Sequence, residues 1–316
     1  MVKELWKHNT RLRSLTRLIA GDDRPKQFCR ILGERTLLEE AQLRAERSIR
    51  PERILYSVTR AHHEYYARDL SGRALQRIVQ PCNKGTAPAI LYTLLHILQM
   101  DRDAIVAILP SDHSYSREGV FTDALDSAFS IAAGDPRSVV LLGAQPLNPE
   151  AEYGWIEVGG TVENSRRDLF YVTGFHEKPG RPAAERLLRS GCLWNTFVMV
   201  GHVNAFLQIA AAYVPALVDA LDAAPLFPTS DREMRDADLL YGQIDPTDFS
   251  HHVLAPAARR LITLRLNDAG WNDLGDPDRV LSILLERESL PAWAIRWLAE
   301  RNMERGEARA ASAAVA

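Results

Sequence analysis

The sequence predicts an α/β fold built on a mixed, mainly parallel central sheet. Short apolar runs rich in β-branched residues have the length of strands, and stretches with apolar residues at helical spacing lie between several of them. The strand-like runs are Ile54–Val58, Ile105–Leu109, Ser138–Leu142, Phe170–Phe175, Asn195–Val200 and Leu261–Leu266, and the helical stretches are Ala87–Gln99 and Val120–Ala132. Strands that alternate with helices favour βαβ units, and continuously apolar strands are typical of a sheet covered on both faces.

The second half of the sequence departs from this alternation. After Leu142 the strand-like runs become shorter, and Gly159-Gly160 predicts a turn, which indicates a mixed sheet or a β-rich insertion. Ala205–Leu226 predicts a core helix, because its charged residues and proline argue against a membrane span. Arg279–Glu286 and Pro291–Glu300 predict two terminal helices. We therefore expect one domain over residues 1–275, C-terminal helices over 276–304 and a disordered tail over 305–316.

The composition is that of an ordinary globular protein and excludes several classes. The 316 residues are 46% hydrophobic and 25% charged, with a net charge of −3. A nucleic-acid binder usually carries a basic excess, so no nucleic-acid partner is expected. Cys29, Cys82 and Cys192 form no Cys-x-x-Cys pair, which argues against a zinc site and favours a reducing cytoplasm. No signal pattern or membrane span is predicted.

Two segments in the first part of the chain have both a structural and a functional interpretation. Arginines at 11–17 precede Arg24–Phe28, and such basic residues before a helix hold phosphates in some proteins, but a charged surface loop is the more common explanation. Gln80–Ile90 places Gly85-Thr86 at a helix start, with Thr86 as the predicted N-cap. That loop either caps the helix or contacts a base or a ribose.

Two aspartates follow strand-like runs. Leu109–His113 comes directly after the most apolar strand, and ligands of open α/β sheets bind beyond the carboxyl ends of strands. Asp112 is therefore a candidate ligand of Mg²⁺, which takes few protein oxygens and completes its shell with phosphates and water. Asp273, within Gly270–Asp276, is a second candidate. An ordinary turn is the alternative for both residues.

Two further segments suit a sugar phosphate. Glu177 and Lys178 end a strand and offer an acceptor and a cation at one place, although a surface ion pair is equally simple. Asn195 lies beside aromatic residues in Trp194–Met199. An asparagine next to an aromatic ring can bind a sugar, but packing in the core explains the apolar residues equally well.

Taken together, the order of these motifs resembles the mannose-1-phosphate guanylyltransferases, a family of sugar-phosphate nucleotidyltransferases. The matching segments are Arg24–Phe28, Gly85–Ala89, Leu109–His113, Glu152–Glu157, Phe175–Pro179, Trp194–Phe197 and Gly270–Gly275, and the resemblance extends from about Thr10 to Leu284. It implies a Rossmann-like fold and Mg²⁺-dependent transfer of a nucleotidyl group to a sugar 1-phosphate, with release of pyrophosphate. The family expectation is GTP and mannose 1-phosphate, a cytoplasmic enzyme and a possible homo-oligomer.

The resemblance also implies roles for individual residues. Those expected to act in catalysis are Lys26, Arg11 and Asp112, with Lys26 neutralising phosphate charge. Those expected to bind the nucleotide are Thr10, Arg11, Gln80, Gly85, Thr86 and Ser111. Those expected to hold the sugar phosphate are Gly154, Glu177, Lys178 and Asn195. Asp112 and Asp273 are the expected metal ligands.

The sequence departs from the family pattern at its start. The family opens with a strand and a glycine-rich loop that cradles the triphosphate, and here only Thr10-Arg11-Leu12 match the end of that loop. We therefore expect the first strand of the sheet to be missing. A second departure is Asn83-Lys84, where the family commonly has an Arg-Asn type pair, so the resemblance does not fix which base is bound. Two interpretations follow: an enzyme, or a non-catalytic homologue that binds a sugar nucleotide and regulates a partner.

Overall fold

A computed structural model describes the backbone of residues 4–73, 76–163, 168–226, 230–286, 290–299 and 301, and within these ranges the side chains from residue 12 onward. The chain divides into two compact units. Unit 1 comprises Met1–Gln42, Ser111–Ser114 and Asn272–Ala316, and unit 2 comprises Leu43–Pro110 and Tyr115–Trp271. The predicted boundary at residue 275 therefore differs from this division, in which the C-terminal residues group with the N-terminal ones.

Helices and strands alternate along much of the chain. The helices are α1 (Glu4–Ala20), α2 (Leu37–Ala45), α3 (His63–Asp69), α4 (Thr86–Met100), α5 (Glu118–Gly134), α6 (Arg181–Arg189), α7 (Val203–Tyr213), α8 (Pro215–Asp222), α9 (Asp231–Gln243) and α10 (Pro277–Glu286). The strands are β1 (Tyr56–Thr59), β2 (Arg77–Gln80), β3 (Ile105–Ile108), β4 (Ser114–Tyr115), β5 (Val139–Ala144), β6 (Gly154–Thr161), β7 (Leu169–Glu177), β8 (Leu193–His202), β9 (Leu261–Leu266) and β10 (Trp271–Asn272).

Unit 1 is a small helical body with its own core. Leu12 and Leu15 of α1 are buried against Val280 and Leu284 of α10 and against Trp293. Residues 292–299 are helical, so both predicted terminal helices are confirmed. Because α1 runs from residue 4 to residue 20, the segment 10–12 lies in a helix interior and not in a phosphate loop. The expectation that this segment forms the end of such a loop is wrong. The apolar residues of α1, such as Leu12 and Leu15, recur at helical spacing and pack into this core.

The large sheet of unit 2 has the order β3-β8-β5-β9-β7-β6. The prediction of a mixed sheet in an α/β fold is confirmed, but the expectation of mainly parallel pairing is wrong. Within this sheet only β5 and β9 pair in parallel, and every other described pairing is antiparallel. The cause is β8, a ten-residue strand that lies between β3 and β5 and runs against both. The strands β3 and β5 keep the common direction expected of strands joined by a crossover helix, α5, without being neighbours.

Both faces of this sheet are covered, as predicted. Along β5, Val139 and Leu141 belong to one buried cluster, and Val140 and Leu142 belong to another on the opposite face. The alternation follows from the two-residue period of a strand. The first cluster includes α4 and α7, and the second includes α5.

A separate pair of parallel strands precedes the large sheet. The strands β1 and β2 pair from Tyr56 opposite Arg77 to Thr59 opposite Gln80, with α3 as their connection. Helix α4 starts six residues after β2. The described residues contain no strand before Tyr56.

Two local expectations are wrong. Gly159-Gly160 do not form a turn but continue β6, where the pairing with β7 shifts register between Val158 and Thr161. The stretch Ala205–Leu226 is not one helix, because it divides into α7 and α8 at Pro215, which takes the first position of the second helix. No helix within the described ranges has the length and apolar character needed to cross a membrane.

Candidate functional site

In unit 1, one lysine joins two segments that are distant in sequence. Lys26 opens a short 3₁₀ turn after Pro25, and its side chain is largely buried. Its Nζ donates a hydrogen bond of 2.5 Å to the backbone carbonyl of Asp273 and lies 3.2 Å from Oδ2 of Asp112. We call Lys26, Asp112, Asp273 and Arg279 the lysine cluster. The structure therefore brings together three residues that the sequence assigned to catalysis and metal binding.

The carboxylate of Asp273 is held by cations and by its own turn. Oδ1 accepts hydrogen bonds from Arg279 at 2.8 Å and from the backbone N–H of Gly275 at 2.9 Å. Burial by itself would raise the pKa of Asp273, but Lys26 first, then Arg279 and His113, outweigh burial and lower that pKa. Asp273 is thus ionised at neutral pH, and the two aspartates and two cations of the cluster balance in charge.

Asp112 lies in the connection after β3, where the sequence predicted it, and Ser111 precedes it in the same segment. His113 Nε2 lies 3.8 Å from Asp112 Oδ1. Among the residues that the structure describes, no group of three or more His, Cys, Asp or Glu side chains is placed to hold a metal.

The basic segment at the N-terminus is engaged by acids. Arg13 and Arg17 both donate to the carboxylate of Asp23, and Arg24 pairs with Asp22 at 2.7 Å. These pairings favour the interpretation as a charged surface, although Arg13 and Arg17 lie in helix α1 and not in a loop. The side chains of Thr10 and Arg11, which the sequence assigned to the nucleotide, lie outside the described residues.

In unit 2, Gln80 ends β2 as a buried side chain. Its Nε2 donates to Ser57 Oγ at 3.2 Å, and its Oε1 has no hydrogen-bond partner among the described residues. A buried acceptor without a partner is uncommon in folded proteins.

Gly85 and Thr86 start α4, but the predicted cap is wrong. The N-cap residue is Gly85, whose φ of 96° favours glycine, and Thr86 is the first helical residue. The hydroxyl of Thr86 instead accepts from the backbone N–H of Phe249 at 2.7 Å and donates to Asp248 Oδ2 at 3.3 Å. The Thr86 hydroxyl thus bonds to residues 248 and 249 instead of capping its own helix.

The residues predicted to hold a sugar phosphate converge at the start of β6. A Cβ at Gly154 would lie 2.8 Å from Glu177 Oε2 and 3.3 Å from the Cβ of Asn195, so glycine lets these two side chains approach the backbone. The side-chain oxygen of Asn195 accepts from the N–H of Phe197 at 3.1 Å. Lys178 Nζ lies 3.3 Å from Glu177 Oε1. We call Gly154, Glu177, Lys178 and Asn195 the carboxylate cluster.

Two properties set this cluster apart from a surface ion pair. Lys178 has a φ of 46°, an uncommon conformation for a residue with a Cβ, and its N–H donates to the carbonyl of Tyr153 at 3.1 Å. Burial raises the pKa of Glu177, and Lys178 opposes that shift. Strained backbone together with a perturbed carboxyl is typical of functional sites. By contrast, Trp194 is buried against Tyr153 with ring centroids 5.0 Å apart, so it acts as core packing.

Sequence reasoning missed the segment Thr247–Ser250. It contacts the start of α4 through Thr86, and Ser250 opens a five-residue π-helix that ends at Leu254. The only signal in the sequence is a run of polar residues after α9, which does not reveal its tertiary partners.

Comparisons with known proteins show which family the chain belongs to. The family model described as nucleotidyl transferase matches residues 8–289. The xanthan biosynthesis protein XanB of Xanthomonas campestris pv. campestris is 28% identical over 280 residues, or 87% of this chain and 57% of that protein. Mannose-1-phosphate guanylyltransferase 2 of Escherichia coli O157:H7 is 26% identical over 277 residues, or 84% of this chain and 56% of that protein. The chain thus spans somewhat more than half the length of these curated relatives.

A solved structure shows the same fold. The crystal structure of mannose-1-phosphate geranyltransferase from Thermus thermophilus superposes with a TM-score of 0.71 at 26% identity, over 83% of this chain and 73% of that one. With a family model that matches most of the sequence, and with the sequence motifs placed in two clusters of named residues, the chain belongs to the nucleotidyl transferase family.

Proposed function

We propose that this protein transfers a nucleotidyl group from a nucleoside triphosphate to a sugar 1-phosphate. The observation that carries the proposal is the lysine cluster, in which the ammonium of Lys26 lies at Asp112 and at the backbone of Asp273. Fixed charges that neutralise phosphate oxygens are the main requirement of such chemistry, which needs no covalent nucleophile on the protein.

The reaction is a displacement at phosphorus. A phosphate oxygen of the sugar 1-phosphate attacks the α-phosphorus of the triphosphate in line with the departing group. The bond from the α-phosphorus to the oxygen that bridges to the β-phosphorus breaks, and pyrophosphate leaves with that electron pair. In this proposal the Lys26 ammonium stabilises the negative charge that builds up on the phosphate oxygens.

Magnesium is part of the proposal, with Asp112 and Asp273 as its protein ligands. Their carboxylate oxygens fit Mg²⁺, which binds through one or two carboxylates and completes its shell with water and phosphates. Its chemical contribution when bound would be to neutralise charge on the triphosphate. Removal of divalent cations by a chelator is expected to abolish turnover.

The residues of unit 2 have the binding roles in this proposal. Gly85 and Thr86 at the start of α4, with Gln80, contact the base and ribose. In the carboxylate cluster, Glu177 and the amide of Asn195 bind sugar hydroxyls, and the ammonium of Lys178 binds the phosphate. The mutual approach of Gly154, Glu177 and Asn195 supports this assignment.

The expected substrates are GTP and mannose 1-phosphate, because one of the two relatives described above is named as a mannose-1-phosphate guanylyltransferase. A cytoplasmic location is the matching proposal, supported by three unpaired cysteines. A homo-oligomer stays a prediction, for which sedimentation of the purified protein is the test.

The test is pyrophosphate release by the purified chain with GTP, mannose 1-phosphate and MgCl₂. We expect turnover in the native protein and a loss of at least about 100-fold in kcat for Asp112→Asn, because that change removes one of the two carboxylates proposed to hold Mg²⁺. Asp126→Asn, the same change at an exposed position of α5, is the matched control and should leave kcat unaltered.

Three results bear on the interpretation. Turnover that survives Asp112→Asn would remove the lysine cluster from the mechanism. Binding of GTP and mannose 1-phosphate without any turnover would favour the non-catalytic homologue. Absence of both binding and turnover in the folded native chain would overturn the proposed function.

A further inference from the structure

The strand β8 contains one residue in an unusual backbone conformation. Phe197 has a φ of 61°, in the left-handed region that favours glycine and is rare for a bulky side chain. It is also the one partly exposed residue between Leu193 and Gly201, since all the others in that stretch are buried. A strained residue of this kind costs stability and persists only where its surroundings hold it in place.

Phe197 lies at the midpoint of a bulge in β8. Asn195 lies opposite Gly143 of β5, and Met199 lies opposite Leu141, so four steps along β8 match two steps along β5. The two surplus residues leave the regular ladder. Bulges re-aim side chains and are frequent beside active sites.

Hydrogen bonds from side chains fix the conformation of the bulge. The Thr196 hydroxyl donates to the carbonyl of Leu142 at 2.6 Å and accepts from the N–H of Val198 at 3.2 Å, and Thr196 is fully buried. The N–H of Phe197 donates to Oδ1 of Asn195 at 3.1 Å. The bulge therefore holds Phe197 directly beside the side chain of Asn195.

Phe197 lies on the same face of the sheet as the carboxylate cluster. Side chains two positions apart on a strand share a face. Gly154, Glu177 and Asn195 are each two positions from a member of one buried cluster that packs on α4. Those members are Ile156, Phe175 and Leu193. Phe197 packs against the same buried cluster and keeps part of its side chain exposed, so it borders the position proposed for the sugar.

The neighbouring tryptophan lies on the opposite face. Trp194 belongs to the buried cluster that packs on α5, where its ring centroid lies 5.0 Å from that of Tyr153 and 6.2 Å from that of Trp271. Of the two aromatic residues within two positions of Asn195, only Phe197 is on the side of the sheet to which Asn195 points.

We infer that Phe197 is a specificity-determining residue whose ring covers the apolar C–H face of the sugar, while Glu177 and Asn195 bind its hydroxyls. This inference rests on the proposed function for the identity of the ligand. Binding sites combine apolar and aromatic walls with a few polar groups that fix orientation, and the bulge supplies both at one place. A flat ring against the C–H groups of a pyranose removes apolar surface from water, so it stabilises the bound sugar and not the bound nucleotide.

The test is calorimetry with two ligands, each in the presence of MgCl₂. They are mannose 1-phosphate and the α,β-methylene analogue of GTP, which cannot react. Phe197→Ala removes the ring, so the affinity for mannose 1-phosphate should fall by about fivefold to tenfold, and the affinity for the GTP analogue should be unchanged. Phe197→Tyr keeps a ring and should retain the native affinity for both ligands.

Phe197→Gly separates the effect of the ring from that of the backbone. Glycine adopts a φ of 61° without strain, so this variant should melt about 2–4 °C above Phe197→Ala. Both variants lack the ring, and we expect both to lose the same affinity for mannose 1-phosphate. Recovery of that affinity in the more stable glycine variant would show a merely structural role and overturn the inference.

Phe170→Ala is the matched control. Phe170 is a partly exposed ring of the same sheet, and its ring lies 4.7 Å from the guanidinium of Arg265. Its removal should leave both affinities unchanged.

Native-like affinity for mannose 1-phosphate in both Phe197→Ala and Phe197→Gly, or equal losses for the two ligands, would also overturn the inference. Failure of the proposed function gives a different result, because the folded native chain would then bind neither ligand. If Phe197→Ala does not fold, which circular dichroism will show, Phe197→Leu decides the matter, since leucine keeps apolar volume against the buried cluster but has no flat ring.

Discussion

At the scale of single residues, the lysine cluster derives its properties from charge balance. Asp273 is partly buried, and a buried carboxylate alone would be protonated more readily. Lys26 and Arg279 reverse that tendency, so the carboxylate stays charged at neutral pH. Removal of one partner should therefore leave a partly buried charge with too little compensation, which is costly in an interior.

Arg279→Gln tests this balance through stability. A carboxyl whose folded pKa lies below its unfolded value stabilises the protein above the unfolded pKa of about 4, and that stabilisation disappears as the pH falls through the folded pKa. We expect Arg279→Gln to lower the free energy of unfolding by about 1–2 kcal/mol at pH 7 and by less at pH 3, measured by urea denaturation. Arg259→Gln, at an exposed arginine, is the control. An effect of Arg279→Gln that is equal at both pH values would contradict the assignment.

At the scale of elements, the start of α4 shows how a tertiary contact replaces a local rule. A threonine after a glycine at a helix start predicts an N-cap. Here Thr86 is one position further on, and its hydroxyl contacts Asp248 and the N–H of Phe249. Gly85 supplies both the positive φ and the space for the Thr247 carbonyl. The glycine and the threonine of this loop are therefore explained by the packing of residues 247–249 against it, and not by the capping of α4.

Gly85→Ala should be among the most destabilising single changes in unit 2. The new Cβ would collide with the backbone carbonyl oxygen of Thr247 and would sit at a φ of 96°, so the loop must move. We expect a loss of about 2–4 kcal/mol in the free energy of unfolding. Gly119→Ala, in α5 with open space at the Cβ, should stabilise the protein by up to about 1 kcal/mol. Equal unfolding midpoints for the two variants would show that the close approach at Gly85 is absent.

At the scale of the whole molecule, the sequence predicts most elements but not their neighbours. Residue periodicity locates the strand β9 with its ends and the helix α4 to within a residue, because burial imposes local patterns. It does not place β8 between β3 and β5, since pairing depends on the path of the chain in space.

The same limit applies to the candidate site. The sequence motifs include Lys26, Asp112 and Asp273, which the structure brings together through distances of 2.5 and 3.2 Å. They omit Asp248, which accepts a hydrogen bond from the Thr86 hydroxyl at the start of α4. A contact between segments that are 162 residues apart carries no local sequence pattern of its own.

The central claim is that the chain transfers a nucleotidyl group to a sugar 1-phosphate. An ¹⁸O label in the sugar phosphate, followed into the products, tests this claim most directly. Mannose 1-phosphate with ¹⁸O in its non-bridging phosphate oxygens is incubated with GTP, MgCl₂ and the purified chain, and the products are analysed by mass spectrometry. Attack by the sugar phosphate on the α-phosphorus predicts that all of the label appears in the nucleotide sugar and none in pyrophosphate. Label in pyrophosphate, or no nucleotide sugar at all from the folded chain, would contradict the claim.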